Sequence, residues 1–255
     1  MLPNKKIIAF DVDGTLTASK SPITEDMVFL LKELIKQKTV IAMSGAKFGQ
    51  FETQFLPLFL NDNSFASFLP NLIIISTSGT QRYEYDIIKK EYIQTFKEPL
   101  DENVKKRIKE LLQKVIDSNL YDIPQNIAGD IVEDRDTQIT FSACGQLASI
   151  EIKKAWDPDQ KKRKRIVADL ERELPEVTML INAYSSIDIV PKGFNKAVGL
   201  MQFINKLNLE KSDVIFVGDG LFPGGNDYSV KEAGFDTMPV TGPEETALII
   251  KEWLG

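Results

Sequence analysis

Residues 7–15 read Ile-Ile-Ala-Phe-Asp-Val-Asp-Gly-Thr, a short apolar run followed by two aspartates and a glycine. Four apolar residues in a row are typical of a strand that is buried on both faces of a parallel sheet. Ligands of such sheets bind beyond the carboxyl ends of the strands, and side chains two positions apart in a strand share a face. The stretch therefore predicts that Asp11 and Asp13 lie together in a crevice. An Asx-type turn that only ends the strand is the alternative.

Strand and helix patterns alternate on both sides of a segment that has a different pattern. Outside that segment, apolar runs at 39–43, 72–75 and 214–217 are separated by amphipathic helices, as in a parallel sheet. The segment itself contains strands and helices predicted at 83–86, 92–96, 101–118, 137–141, 149–152, 157–174 and 186–189. We predict an α/β fold with a Rossmann-like parallel sheet at residues 1–83 and 190–255 and an inserted α+β cap domain at 84–189.

The composition excludes several classes of chemistry and partner. The chain of 255 residues contains no histidine, which removes Ser-His and Cys-His nucleophiles and histidine-ligated zinc. Its formal net charge of -6 speaks against nucleic acid as a partner, because an acidic surface repels phosphate backbones. Any reaction must therefore use carboxylates, lysine, hydroxyls, backbone amides or a hard metal ion.

The expected environment is the cytoplasm. The single cysteine, Cys144, rules out an intrachain disulfide and suits a reducing compartment. The first residues lack the length of a signal peptide, and no apolar stretch approaches the roughly 18 residues that span a bilayer. The basic run at 161–165 is predicted to be a solvated helix face, because no aromatic residues are interleaved with it as in a nucleic-acid contact.

Polar residues also follow two other predicted strands and open a predicted helix. Asp219 and Asp227 belong to a glycine-rich loop after one strand, and carboxylate ligands favour Mg²⁺ over zinc. Ser44 and Gly45 follow another strand and offer a hydroxyl and a backbone amide to a phosphate oxygen. Lys196 would neutralise a bound phosphate. Each group alone could be a turn or a solvated lysine, but together they predict a magnesium-dependent site for a phosphate ester.

The order of these groups along the chain resembles that of the haloacid dehalogenase-like superfamily. The matching elements are residues 11–15, Ser44, Lys196, and residues 218–219 with 226–227. The resemblance implies that Asp11 is a nucleophile that forms an aspartyl-phosphate, with Asp13 as general acid and base. It implies that Ser44 and Lys196 hold the phosphoryl group. The implied Mg²⁺ ligands are Asp11, Asp13 through its backbone carbonyl, Asp219 and Asp227.

The place of the insertion resembles that of the large cap of the Cof-type (IIB) subfamily, and two stretches narrow the resemblance further. Residues 219–227 and 186–193 resemble the last motif and the substrate strand of the eukaryotic-type phosphomannomutase family. The candidate substrate-binding residues are Lys20, Gly45, Arg135, Gln146, Ser186 and Asp188. Because related mutases pair through their caps, the resemblance also allows a homodimer through the cap.

Departures from this family decide which reaction we expect. A mutase holds a sugar with a phosphate at each end, so it needs arginines for the distal phosphate. Arg135 retains one of them, but Gln146 stands where the family has a second, and Lys20 replaces an arginine of the core. We therefore expect a phosphatase that acts on a sugar phosphate, with a phosphomannomutase as the alternative and a non-catalytic sugar-phosphate binder as a third hypothesis.

Overall fold

The computed structural model describes residues 3–18, 21–118 and 120–255. It contains two compact units: Met1–Lys97 with Lys196–Gly255, here called the core unit, and Glu98–Asn195, here called the inserted unit. The mixed α/β fold class that the sequence predicts is confirmed. No helix of the described residues is both long and apolar enough to cross a membrane.

The strands and helices are numbered along the chain. The strands are β1 (Ile7–Asp11), β2 (Thr39–Met43), β3 (Leu72–Ser76), β4 (Gln81–Asp86), β5 (Glu91–Lys97), β6 (Val132–Asp134), β7 (Ile139–Ser142), β8 (Val177–Asn182), β9 (Ser186–Pro191), β10 (Val214–Gly218) and β11 (Asp236–Pro239). The α-helices are α1 (Glu25–Ile35), α2 (Phe48–Gln54), α3 (Pro57–Leu60), α4 (Glu102–Asp117), α5 (Ile150–Trp156), α6 (Lys161–Leu170), α7 (Lys196–Lys206), α8 (Tyr228–Glu232) and α9 (Pro243–Leu254). Short 3₁₀ helices lie at Asn63–Asn71, Thr77–Gly79 and Lys211–Asp213.

The core unit is built on a seven-stranded sheet in the order β11-β10-β1-β2-β3-β4-β5. The first five strands of this order are parallel, and β4 and β5 are antiparallel additions. Strand β1 lies between β10 and β2, with Phe10 opposite Val217 and Asp11 opposite Met43. The carboxyl ends of these three strands, which carry the predicted site residues, are therefore neighbours at one edge of the sheet.

Alternating side chains of the buried strands pack on opposite faces of the core sheet. Ile8 and Phe10 of β1 belong to the cluster that contains apolar residues of α1 and α9. Ile7 and Ala9 belong to a second cluster, which contains apolar residues of α7 and α8. Because helices cover both faces, the strand needs apolar side chains at every position, which explains the unbroken apolar run.

One predicted strand pair belongs to a different sheet from the one expected. The strands predicted at 83–86 and 92–96 do pair, but as β4 and β5 they extend the core sheet instead of the insertion. Backbone hydrogen bonding between β3 and β4, with Ile75 opposite Arg82, holds them there. The two units therefore divide at 97/98 and 195/196 instead of the predicted 83/84 and 189/190.

The inserted unit has a four-stranded antiparallel sheet in the order β6-β7-β9-β8. One face carries Ile139, Phe141, Ile187 and Ile189, which pack with apolar residues of α4, α5 and α6. The strand period places polar residues of β7 and β9 on the opposite face. They are Thr140, Ser142, Ser186 and Asp188, and they pair across the two strands as Thr140 with Asp188 and Ser142 with Ser186.

The strand predicted at 149–152 is wrong, because these residues begin helix α5. Ser149 is its N-cap, and the Ser149 hydroxyl accepts a hydrogen bond from the Ile152 amide at 3.4 Å. The sequence Ser-Ile-Glu-Ile alternates as a strand does, but Ser followed by Glu is also a helix start. The local cap decides the structure here.

The basic run at 161–165 is only partly the solvated face that was predicted. Arg163 is buried, with 2% of its side chain exposed, and its Nε donates to the buried Asp157 carboxylate at 2.8 Å. Its Nη1 donates to the backbone carbonyls of Asn182 and Ala183, at 3.0 and 2.9 Å. Arg163 therefore joins helix α6 to the end of β8. Helix α6 also begins at Lys161, later than the predicted start at Asp157.

Candidate active site

The end of β1 places Asp11 beside Lys196, the first residue of α7. The Lys196 ammonium donates to Oδ1 of Asp11 and to Oδ1 of Asp227, the latter at 2.6 Å. All three side chains are buried, with at most 4% exposed. The other oxygen of Asp11, Oδ2, is also buried and has no hydrogen-bond partner among the described residues. One oxygen of Asp11 is thus held in place while the second is left for a ligand or a reacting atom.

Burial and neighbouring charges shift the proton affinities of this cluster. Burial raises the pKa of the Asp11 carboxyl well above its usual range, and Lys196 opposes this while Asp227 and Asp219 add to it. Burial alone would lower the pKa of Lys196, but the carboxylates of Asp11 and Asp227 raise it above the usual value. Burial and then Asp227 also raise the pKa of Asp219. Further positive charge at this position would therefore favour the ionised carboxylates.

Three carboxylates of the core unit are close enough to hold a metal ion together. One oxygen each of Asp11, Asp219 and Asp227 lies within 4.8 Å of the others. A donor set of carboxylate oxygens fits a hard divalent cation better than zinc. The carboxylate of Asp13 is not part of this group. Ligation through the Asp13 backbone carbonyl stays a prediction.

The loop after β10 is tied to the loop after β1. The Asp219 amide donates to the Thr15 hydroxyl at 3.0 Å, and the Gly220 amide donates to Oδ2 of Asp227 at 3.0 Å. Gly14 has φ +89°, and a Cβ built on it would lie 2.5 Å from Oδ2 of Asp219. No L side chain fits there without displacing Asp219. Gly14 is therefore required both by its conformation and by the close approach of the Asp219 carboxylate.

Ser44 lies at the end of β2 and faces Asp13. The Ser44 hydroxyl donates to Oδ2 of Asp13 at 3.3 Å and accepts from the Ala46 amide at 3.0 Å. The Ser44 amide donates to the carbonyl of Ile75 in β3. The core unit therefore brings Asp11, Lys196, Asp219 and Asp227 into one cluster. Asp13 and Ser44 form a second contact beside it, and Gly45 follows Ser44 in the chain. Lys20 lies outside the described residues.

The four candidate residues of the inserted unit lie on or next to its polar sheet face. Gln146 donates through Nε2 to the Ser142 hydroxyl at 2.9 Å, and Ser142 shares a hydrogen bond with Ser186, also at 2.9 Å. Asp188 accepts from Thr140 at 2.8 Å and from the side-chain amide of Asn182. The face thus carries two hydrogen-bonded sets of polar groups, Gln146 with Ser142 and Ser186, and Asp188 with Thr140 and Asn182.

The Arg135 guanidinium is paired within the same sheet. Its Nε and Nη2 donate to Oε2 of Glu133, at 2.9 and 2.7 Å. Only 11% of the Arg135 side chain is exposed. Much of its charge is therefore already neutralised by a neighbouring carboxylate.

Several residues of these two clusters were not predicted as site residues. Thr15 belongs to the motif at residues 11–15, and its role follows from a contact with Asp219, 204 residues later in the chain. Thr140 and Asn182 contact Asp188 from neighbouring strands. The period-2 pattern of residues 137–141 could have placed Thr140 on the polar face. Nothing in the sequence indicates the contact of Asn182.

Comparisons with known proteins point to one family. The family model described as eukaryotic phosphomannomutase matches residues 28–255. A phosphomannomutase of Arabidopsis thaliana is 29% identical over 247 residues, which cover 94% of this chain and 93% of the relative. Phosphomannomutase 2 of Dictyostelium discoideum is 30% identical over 262 residues, which cover 99% of this chain and 98% of the relative.

Solved structures support the fold. An IMP-bound, N-terminally truncated IMP-nucleotidase of Plasmodium falciparum superposes with a TM-score of 0.73 at 15% sequence identity. The match covers 98% of this chain and 68% of the nucleotidase chain. A haloacid dehalogenase-like hydrolase from Bacteroides thetaiotaomicron superposes with a TM-score of 0.63 at 17% sequence identity. The match covers 97% of this chain and 99% of the hydrolase chain. With the family match and the near-complete alignment to the relatives, the chain is a phosphoryl-transfer enzyme of the haloacid dehalogenase superfamily and belongs to the eukaryotic phosphomannomutase family.

Proposed function

We propose that this enzyme is a Mg²⁺-dependent phosphatase that hydrolyses a sugar phosphate through an aspartyl-phosphate on Asp11. The observation that carries the chemistry is the arrangement of the Asp11 carboxylate. Its Oδ1 accepts a hydrogen bond from the buried Lys196, and its Oδ2 is buried without a hydrogen-bond partner among the described residues. A nucleophile needs one fixed and one available oxygen, and a charged neighbour that keeps it ionised.

The first step transfers the phosphoryl group to the enzyme. Oδ2 of Asp11 attacks the phosphorus, the bond from phosphorus to the sugar oxygen breaks, and Asp13 gives its proton to that oxygen. The Ser44 hydroxyl, 3.3 Å from Oδ2 of Asp13, and the Gly45 amide would donate hydrogen bonds to the phosphoryl oxygens. Lys196 offsets the negative charge of the phosphoryl group and of the two aspartates that it contacts.

The second step returns the enzyme to its starting state. Asp13, now ionised, takes a proton from a water molecule, whose oxygen attacks the phosphorus of the aspartyl-phosphate. The bond from phosphorus to Oδ2 of Asp11 breaks and inorganic phosphate leaves. Asp11, Asp219 and Asp227, with the Asp13 carbonyl, would hold Mg²⁺. The ion supplies positive charge that neutralises the phosphoryl oxygens.

The inserted unit favours hydrolysis over mutase chemistry. A mutase must bind a second phosphate, which calls for arginines that are available to an anion. Arg135 is instead bonded to Glu133, and Gln146 uses its amide to hold the Ser142 hydroxyl. Ser186 and Asp188 are suited to sugar hydroxyls, because hydroxyl and carboxylate groups both accept from a hydroxyl.

A phosphomannomutase is the second candidate. It is supported by the family match over residues 28–255 and by the activity that the relatives' names state. Lys153 also lies near Gln146 and donates to its backbone carbonyl at 2.8 Å, so a cation is present beside the position where the family has an arginine. A sugar-phosphate binder without catalysis is a weaker third candidate, because the Asp11–Lys196 pair is intact.

Two assays together separate the three candidates. Release of inorganic phosphate from mannose 6-phosphate and glucose 6-phosphate is measured with Mg²⁺, and conversion of mannose 1-phosphate is measured with a catalytic amount of a hexose bisphosphate. A phosphatase releases phosphate from the wild type, and Asp11→Asn abolishes the release. Isomerisation without net phosphate release would overturn the hydrolase. If both assays show no activity, and Asp11→Asn binds the sugar phosphates as the wild type does, the binder is favoured.

We also propose a cytoplasmic location for this reaction, based on the single cysteine, Cys144. A homodimer through the inserted unit stays a prediction that rests on family resemblance. Sedimentation of the purified protein would test it directly, with a mass of 28.7 kDa expected for a monomer.

A further inference from the structure

The turn that follows β3 has a strained backbone. Thr77 and Ser78 have φ angles of 48° and 55°, and both residues are buried. A positive φ is uncommon outside glycine, and for a β-branched residue such as Thr77 it is an outlier. Conformations of this kind persist only where the surrounding contacts hold them, and they are concentrated at functional sites. The reaction steps proposed above do not use this turn, so they do not explain why the strain is retained.

The strained turn contacts the segment that follows β2. The Thr77 amide donates to the Ala46 carbonyl at 2.9 Å, and the Ser78 amide donates to the Ser44 carbonyl at 3.1 Å. In an extended strand successive amides point to opposite sides, whereas in a turn they can converge on one side. The unusual backbone at Thr77 and Ser78 therefore fits a specific task, which is to hold two carbonyls of the 44–46 segment at once.

One of these two bonds fixes the direction of the Gly45 amide. The Ser44 carbonyl and the Gly45 N–H belong to the same peptide group, which is planar and trans, so they point in opposite directions. Because Ser78 holds the carbonyl on one side, the Gly45 N–H is directed to the other side. The Ser44 amide is held as well, by the Ile75 carbonyl at 3.0 Å. The turn thus sets the orientation of a donor that the proposed reaction assigns to a phosphoryl oxygen.

The side chain of Thr80 closes the turn. Its hydroxyl donates to the Thr77 carbonyl at 2.7 Å and lies 2.8 Å from the Thr77 hydroxyl, and Thr80 is fully buried. We infer that Thr80 is a positioning residue for phosphoryl transfer, which holds the turn in the conformation that orients the Gly45 amide. This inference rests on the proposed binding of the phosphoryl group by Ser44 and Gly45.

The test measures binding of inorganic phosphate in the presence of Mg²⁺ by calorimetry. Thr80→Val keeps nearly the shape of threonine but removes the hydroxyl, whereas Thr80→Ser keeps the hydroxyl. We expect the dissociation constant of phosphate to rise about 10-fold in Thr80→Val, as for the loss of one hydrogen bond to a charged group, and to stay within about twofold of wild type in Thr80→Ser. Thr80→Ala, which adds no methyl group in place of the hydroxyl, should show the same rise as Thr80→Val.

Thr246→Val is the matched control for a purely structural effect. Thr246 is also fully buried in the core unit, and its hydroxyl donates to the Gly242 carbonyl at 3.1 Å. Urea denaturation should show similar losses of stability for the two valine variants, since each removes one buried hydroxyl bond. Thr246→Val should nevertheless bind phosphate as the wild type does.

The outcomes distinguish this inference from the proposed function. The inference alone is overturned if Thr80→Val and Thr80→Ala bind phosphate as tightly as wild type, if Thr80→Ser binds as weakly as Thr80→Val, or if Thr246→Val weakens binding equally. A wild-type protein that does not bind phosphate with Mg²⁺ would instead overturn the proposed phosphoryl site, and the inference would fail with it.

Discussion

Gly199 of helix α7 lies directly against Gly79, with no room for a side chain between them. A Cβ built on Gly199 would lie 2.6 Å from the Cα and 2.7 Å from the carbonyl oxygen of Gly79. Gly79 ends a turn in which Thr77 and Ser78 also have positive φ, at 48° and 55°. Such residues cost about 1–3 kcal/mol each, so the surrounding packing must hold them.

The same turn also supports the end of β2. The Ser78 amide donates to the Ser44 carbonyl at 3.1 Å, and the Thr77 amide donates to the Ala46 carbonyl at 2.9 Å. Helix α7 begins at Lys196, less than one turn before Gly199. The turn is therefore packed between the segment that carries Ser44 and the helix that carries Lys196.

The first prediction concerns Gly199→Ala. The added methyl group must displace backbone instead of a flexible side chain, so we expect the free energy of unfolding to fall by about 1–3 kcal/mol. Urea denaturation measures this change. Gly49→Ala in helix α2 is the matched control, because the nearest atom to its Cβ is Oε2 of Glu52 at 3.9 Å. That variant should be as stable as wild type or slightly more stable, since alanine favours helix. Equal losses for both variants would contradict the role given to the Gly199–Gly79 contact.

The second prediction concerns the carboxylate cluster and Mg²⁺. A ligand that binds only the folded state stabilises it by about 2.7 kcal/mol at 100 times its dissociation constant. We expect Mg²⁺ to raise the midpoint of thermal unfolding of wild type, and Asp219→Asn to lose most of that increase because one of three anionic ligands is gone. Glu232→Gln, an exposed carboxylate on α8, should keep the full increase. A wild-type midpoint that does not respond to Mg²⁺ would speak against the site.

Much of the core unit could be predicted because its signals are local. A strand buried on both faces must be apolar throughout, so the four apolar residues 7–10 are enough to predict β1. Parallel topology then places Asp11 at the ligand-binding end of the sheet. The start of helix α1 is equally local, because the hydroxyl of its N-cap residue Thr24 accepts from the Met27 amide at 3.3 Å. In both cases a few neighbouring residues contain the whole physical cause.

The sequence could not show which partner a segment would choose. A strand pair such as β4 and β5 has the same pattern in either sheet, and the pairing of β4 with β3, in which Ile75 lies opposite Arg82, decides which sheet it joins. The basic run at 161–165 reads as solvated because the burial of Arg163 depends on backbone carbonyls at Asn182 and Ala183. In each case the cause lies in a partner segment that the pattern of the run itself does not specify.

The third prediction concerns pH and Glu84. Burial alone would raise the pKa of the Glu84 carboxyl, but hydrogen bonds from Lys206 and Thr95 and nearby positive charges lower it below its ordinary value of 4.5. A lowered pKa stabilises the folded state at pH values above 4.5, and the contribution is lost as pH falls through the folded-state pKa. The Lys206 ammonium lies 2.8 and 2.9 Å from the two Glu84 oxygens.

We therefore expect Lys206→Met to lower the free energy of unfolding by about 0.5–1 kcal/mol at pH 7, as for a partly exposed ion pair. The difference from wild type should shrink as the pH falls through the lowered pKa of Glu84, because the carboxyl is then protonated in both proteins. Urea denaturation at pH 7 and at an acidic pH below that transition measures it. Lys251→Met, an exposed lysine on α9, should differ little from wild type at either pH. A difference that grows on acidification would reverse the sign argued here.

The fourth prediction concerns the buried pair of Arg163 and Asp157 in the inserted unit. Arg163→Met leaves the Asp157 carboxylate buried without its cation and removes the hydrogen bonds that Arg163 donates to the carbonyls of Asn182 and Ala183. Breaking one partner of such a pair typically costs about 3–5 kcal/mol. We expect a loss of that size in urea denaturation, against a change within about 0.5 kcal/mol for the exposed neighbour Lys164→Met.

A double variant tests whether the loss comes from the stranded charge. Asp157→Asn in the Arg163→Met background removes the carboxylate charge but keeps oxygen and nitrogen atoms at that position. The Asp157 carboxylate accepts from the backbone amides of Lys162 and Arg163, at 2.9 and 3.1 Å, and the carbonyl oxygen of the substituted side chain can retain one of these bonds. We expect the double variant to recover part of the stability lost by Arg163→Met, since no buried charge remains unpaired. If the two losses instead add, the contribution of Arg163 lies in packing and in its bonds to Asn182 and Ala183, and the ion pair itself contributes little.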